Sequence, residues 1–253
     1  MASVMRPARI AGEGTDSNTW QAWLEDAELP ELPLHERLPR HARLVVVAPH
    51  PDDEVLACGA LLQSHAERGG ESCIVAVTDG EASHPGLSSP ERSALAQQRR
   101  EERLQGLACM GLPPSAVRRL GLPDGEVAVN TTHLTANLRA LLRPQDVLVS
   151  TWAHDGHPDH EATGRACRQL SSVVGCSYLA APVWMWHWAS PGDARVPWRR
   201  LRALRVNGPA LARKQAALAA HQSQLVPRDD EHGAVLGAAI RSRAAWRSEY
   251  FFV

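Results

Sequence analysis

Two short stretches concentrate residues able to do chemistry. The first, PHPDDE, sets His50, Asp52, Asp53 and Glu54 directly after the apolar run Leu44 to Ala48. One imidazole and two carboxylates within four residues can hold a divalent metal and still leave a carboxylate to move a proton. The second, HPDH, sets His157, Asp159 and His160 after the apolar run Val147 to Thr151. Either stretch alone could be a capped turn at a helix start. Together they carry more, because each falls where an apolar strand gives way to a helix, and a parallel sheet brings such loops side by side. Between them lie two further polar turns, TDGE with Asp79 and GLPDG with Asp124, where Asp also has local turn-forming reasons to occur.

The elements that must position these loops read as alternating strands and helices. The patterning predicts strands at Leu44–Ala48, Ser72–Val77, Val117–Leu120 and Val147–Thr151. Helices are expected at Val55–Arg68, Pro90–Met110, Thr132–Leu142 and His160–Val174, the first two ended by Gly69-Gly70 and Gly111. Further on, Ser177–Trp186 has strand character, and Trp184, Trp186 and Trp188 share one face if the strand continues. Arg200–Val206 reads as another strand, Gly208-Pro209 opens a helix to about Gln222, and Ala234–Arg247 reads as helical before the terminal SEYFFV. At the other end, Met1–Asp16 looks irregular, and Ser17 to Thr19 could cap a short helix carrying Trp20, Trp23 and Leu24. Pro30, Pro33 and Pro39 then mark an extended connector. The expectation is a single Rossmann-like α/β domain over residues 41–253, with a mostly parallel sheet and helices on both faces. Residues 1–40 would supply a helix and connector packed on it.

Composition narrows the partners. A formal net charge of -1 over 253 residues, with no basic patch, argues against a nucleic-acid partner. Five cysteines with no C-x-x-C pair point to reduced thiols, and to neither a disulfide framework nor a thiolate zinc site. No apolar segment is long enough to span a bilayer and the N-terminus has no apolar leader, so a cytoplasmic location is expected. Lys214 is the only lysine.

PHPDDE, TDGE, GLPDG and HPDH, in that order, resemble the zinc-dependent deacetylases of the LmbE and PIG-L type, which remove acetyl or acyl groups from N-acylated sugars. The resemblance covers residues 44 to 165, with a weaker echo in KQAALAAHQSQ from Lys214 to Gln224. It implies that His50, Asp53 and His160 hold a single zinc, with iron possible in the same ligand set. Asp52 would then be the general base. His157 would stabilise the oxyanion as imidazolium or protonate the departing amine, and Asp159 would orient His157 or a ligand imidazole. Arg99 or Arg100, Asp124 and Asp79 would face the substrate, an N-acetylglucosamine-type small molecule or glycoconjugate. Some family members carry a Tyr two residues before the first His of HPDH. Here Asp155 stands there, which leaves the second oxyanion donor unassigned.

Other readings share the fold. A metal hydratase or an amidase acting on a non-sugar substrate would use the same ligands, and a sugar-binding module without catalysis would use the same cleft. Nucleotide binding is disfavoured because no G-x-G-x-x-G follows the first strand. The Trp-rich segment could stack sugar rings, line an acyl pocket or bury a homo-oligomer interface.

Overall fold

The computed structural model describes residues 10, 12–227 and 233–253. Of the irregular start expected over Met1–Asp16, Met1 to Arg9 and Ala11 lie outside the described residues.

The apolar runs become strands β1 (Leu44–Ala48), β2 (Ser72–Ala76), β3 (Val117–Arg119), β4 (Val147–Thr151) and β5 (Ser177–Ala181). Two more, β6 (Leu201–Arg205) and β7 (Ser248–Phe252), complete a sheet of seven strands among the described residues, in the order β3-β2-β1-β4-β5-β7-β6. The first five run parallel, and β7 joins antiparallel to both β5 and β6. Strand order reverses between β1 and β4, which pair directly with Val47 opposite Ser150. A crevice opens at such a switch point beyond the carboxyl ends of the strands. Both histidine loops leave the sheet there.

Alternation along the strands feeds two cores. Val46, Ile74 and Val149 pack toward α3 (Asp53–Glu67) and α8 (Gly208–Ala219), while Val45, Val47, Val75 and Leu148 face α5 (Thr131–Leu141) and α6 (Pro158–Val174). Helix α4 (Ser89–Cys109) lies on α8. The parallel sheet with helices on both faces is as the alternation predicts. No helix among the described residues is long and apolar enough to cross a membrane.

The N-terminal helix α1 (Ser17–Asp26) is capped by Asp16, which accepts from the N–H groups of Asn18 and Thr19, one position before the expected cap. Its Trp20 is fully buried, donates from Nε1 to the Trp186 carbonyl at 2.7 Å, and meets the Trp186 ring edge-on at 5.0 Å. The connector continues through α2 (Leu34–Arg37) after bridging Glu31 to Ala203 on β6, which covers the sheet's edge.

Three expected elements differ. The strand from Ser177 stops at Ala181, because Pro182 offers no N–H and the next three N–H groups, of Val183, Trp184 and Met185, turn inward to the Asp155 carboxylate. The chain then coils into α7 (Met185–Trp188), so the three tryptophans do not line one strand face. The stretch Ala234–Arg247 is helical only over α10 (Ala238–Ala244), since the Leu236 N–H is drawn to the Gln224 carbonyl and Gly237 forms the cap. Finally, α3 is broken at Cys58 (φ -149, ψ 26).

Candidate metal and catalytic site

His50 closes the turn after β1, and Asp53 opens α3, where its charge suits the helix N-terminus. His157 caps α6, Pro158 takes the first helical position, and His160 follows in the first turn. Gly164 lets this helix end press onto β4, because a Cβ there would lie 2.5 Å from the Thr151 carbonyl.

Parallel pairing of β1 with β4 brings the two loops into contact. His50 Nδ1 lies 3.1 Å from His160 Nε2, and Asp53 Oδ2 lies 3.4 Å from the former and 3.2 Å from the latter. Adjacent corners of a tetrahedron with zinc bonds of about 2.0–2.1 Å stand about 3.3–3.4 Å apart. These three donor atoms could therefore make one face of a coordination sphere, and their spacing fits a divalent ion. Two other triplets around His50, with His157 and His160 and with Asp124 and Asp159, also bring donor atoms within 4.8 Å of one another.

The histidines are oriented by carboxylates behind them. Asp155 Oδ2 takes His160 Nδ1 at 2.8 Å, and with its three backbone donors and its own buried position it is immobile. On the far side of His50, Nε2 lies 3.2 Å from Asp124 Oδ1 and 3.3 Å from Asp159 Oδ2. Such partners fix ring orientation and raise ligand basicity. The field of these carboxylates favours cations: His50 is held well above its ordinary value, and His160 is raised to about 9 by Asp53 and Asp155 despite burial that works the other way. In the same field, His160 and His50 hold Asp53 below the usual carboxylate range, against burial that opposes it.

Asp52 differs from its neighbour. Its residue is 4% exposed, its side chain makes no hydrogen bond among the described residues, and its backbone sits at φ 121, ψ -28. Such a conformation costs a non-glycine residue about 1–3 kcal/mol and persists only where the surroundings impose it. The imposition is visible: Thr78 donates from its hydroxyl to the Pro49 carbonyl at 2.8 Å, and the Gln224 amide donates to the Pro51 carbonyl. Burial, then the charge of Asp53, push the Asp52 carboxyl well above its ordinary value.

His157 is half-buried, with its ring 4.7 Å from that of His50 and 4.9 Å from that of His160. The backbone N–H of Asp159 donates to Nδ1 at 3.2 Å, so the ring proton resides on Nε2. Burial and the neighbouring His160 and His50 push this ring down to about 3, which keeps it neutral.

The remaining sequence candidates separate. Arg99 is buried, donates to the Gly80 carbonyl and, at 3.3 Å, to Ser223 Oγ, and its Nη2 has no partner among the described residues. Its charge is felt at Asp52 and Asp124. Arg100 instead points to Asp79 at 2.9 Å, and Asp79 is also gripped by Arg119 at 2.6 Å. Asp79 thus sits outside the histidine cluster, spending its oxygens on two arginines. Asp124 joins the cluster and also accepts from the Ala82 N–H at 2.8 Å, while Asp159 accepts from Gly125 and Val127. Glu54 is buried and paired with Arg103 at 3.0 Å.

Two contributors carried no role in the sequence reading. Asp155 was visible only as a departure from a tyrosine, and its orienting contact depends on where the chain turns after β5. Gln224 lay within the weak KQAALAAHQSQ echo, with nothing local to connect it to Pro51 across 173 positions.

The chain is 34% identical over 122 residues to a 1D-myo-inositol 2-acetamido-2-deoxy-alpha-D-glucopyranoside deacetylase of Kineococcus radiotolerans, covering 47% of this chain and 32% of the relative. It is 34% identical over 107 residues to a 2'-N-acetylparomamine deacetylase of Streptomyces fradiae, covering 42% of this chain and 36% of the relative. The matched stretches span about a third of the length of these relatives. Among solved structures, a deacetylase of the teicoplanin biosynthesis pathway superposes with a TM-score of 0.65 at 18% identity, over 83% of this chain and 97% of that one, a likeness of fold. Residues 45–171, about half of the chain and inclusive of every residue of both histidine loops, match the PIG-L family, described as GlcNAc-PI de-N-acetylase, and the chain belongs to that family.

Proposed function

We propose that the chain is a metal-dependent deacetylase that hydrolyses the N-acetyl amide of an amino-sugar conjugate of the N-acetylglucosamine type. The observation that carries this reading is the triangle of His50 Nδ1, Asp53 Oδ2 and His160 Nε2 with the unbonded Asp52 carboxyl next to it. Zinc, or iron in the same ligand set, supplies Lewis-acid chemistry there, acidifying water and polarising a carbonyl. Asp52 takes the proton from the attacking water and returns it to the departing nitrogen. His157 acts as a neutral donor: with Nδ1 occupied by the Asp159 N–H, its Nε2–H is available to the oxygen that becomes negative. Arg99, through its unpartnered Nη2, and Asp124, which also contacts His50, are the substrate-facing residues in this reading.

The decisive variant is Asp52→Asn. It should retain about the wild-type metal content, by elemental analysis, and lose about 10²–10⁴-fold in acetate release from N-acetylglucosamine conjugates. Full activity in that variant, or equal rates on simple aliphatic acetamides, would count against the reading.

A further inference from the structure

A small cavity lies between α3, the turn after β5, α10 and β7. Its volume is ≈ 40 Å³, and its wall includes Leu56, Val183, Trp186, Ile240, Arg243 and Trp246. A single water needs about 10–15 Å³ of such space, so the cavity admits a molecule of a few heavy atoms.

Charge is unevenly settled in this wall. Lys214 and Glu249 also border it, but they satisfy each other at 2.7 Å, and Glu249 further accepts from the N–H groups of Ala60 and Leu61. Among the described residues Arg243 has no such partner. It is 8% exposed, its Nη1 reaches the Trp186 carbonyl only at 3.5 Å, and its Nη2 has no partner among the described residues. That carbonyl already takes the Trp20 indole at 2.7 Å. The carboxylate whose charge Arg243 feels, Asp155, is committed to His160 and three backbone donors. A buried guanidinium left in this state is costly unless something anionic joins it. Nη2 is unpartnered among the described residues and Nη1 is held only by the long contact to Trp186, so the fork can turn to a carboxylate, which satisfies it bidentately. The apolar wall suits a short alkyl group beside it.

We propose that this cavity is a binding site for a small monocarboxylate of acetate size, held by Arg243. The site is separate from the metal-binding face and its existence does not depend on the reaction proposed above. Trp246, Ser248 and Tyr250 line both the cavity and a larger groove of ≈ 820 Å³ between α1 and the β6–β7 edge.

Calorimetric titration of the zinc-loaded full chain with sodium acetate, at fixed ionic strength, tests this. Arg243→Gln should weaken one binding event at least tenfold, and Ala244→Leu, which fills the cavity without changing charge, should do the same. His50→Ala, which disables the metal face, should keep that event, so failure of the metal reading and failure of this site are distinguishable. Unchanged acetate binding in both cavity variants overturns the proposal. So does a crystal grown in acetate with only water at the guanidinium, or saturable binding of chloride in place of acetate.

Discussion

The two ends of the sheet solve different problems. On the parallel side, β1 and β4 each end in a short loop and a helix N-terminus, and their direct pairing brings His50, Asp53 and His160 within 3.4 Å of one another. On the antiparallel side, β6 and β7 carry none of the proposed metal ligands, yet they support the helix that begins with one of them. Glu249 on β7 accepts the N–H groups that the break at Cys58 frees in α3, and Lys214 takes the freed Leu56 carbonyl at 3.0 Å. The same helix begins with Asp53. Donors for chemistry thus come from local motifs, while their aim depends on partners distant in the chain.

Breaking the distant support should show the larger effect. Lys214→Met leaves the Glu249 carboxylate buried without its countercharge, and removal of one partner of such a pair costs about 3–5 kcal/mol. Urea denaturation should show that loss, and adding Glu249→Gln should recover part of it by removing the stranded charge. If Lys214→Met were as stable as wild type, the internal capping of α3 would have no energetic weight.

Asp155→Asn sharpens the comparison at the junction of the two regions, because this residue links His160 to the turn after β5. The amide keeps its size but loses the charge on His160 Nδ1. Metal affinity should fall about 10–100-fold, as for other carboxylates behind ligand histidines. Competition with a chromophoric chelator measures this, and near-wild-type circular dichroism should accompany it.

The contrast also explains what sequence could reveal. The alternating apolar runs and the loops that interrupt them are local, so the parallel sheet and the histidine-aspartate motifs were legible residue by residue. Partners fixed by tertiary folding were not. Arg99 and Arg100 are neighbours on one helix, and only packing turns the first inward while the second reaches Asp79. Likewise the tryptophans read as an alternating strand until Pro182 and Asp155 bend the chain, after which Trp186 packs on Trp20 and Trp246. SEYFFV carried strand-forming residues, but nothing in it announced an antiparallel partner or that Glu249 would serve α3.

The smallest effect is expected at Asp79, whose carboxylate pairs with two arginines at the parallel edge. Burial would raise this carboxyl, but Arg119, and then Arg100, outweigh it and hold it below the usual value. A carboxylate depressed in the folded state stabilises the fold above its unfolded value of about 3.9, and that stability drains away as pH falls through the lower folded value. Both arginines are substantially exposed, so solvent screens the pair and about 1 kcal/mol is a reasonable ceiling. Asp79→Asn should therefore be less stable than wild type by up to that amount at pH 7, and the gap should narrow as pH is lowered below about 4. Added salt should narrow it at neutral pH as well, because partly exposed charges are screened. A gap that stayed constant with both pH and salt would mean that Asp79 holds its loop through hydrogen-bond geometry alone, and the charge contrast between this edge and the buried Lys214–Glu249 pair would disappear.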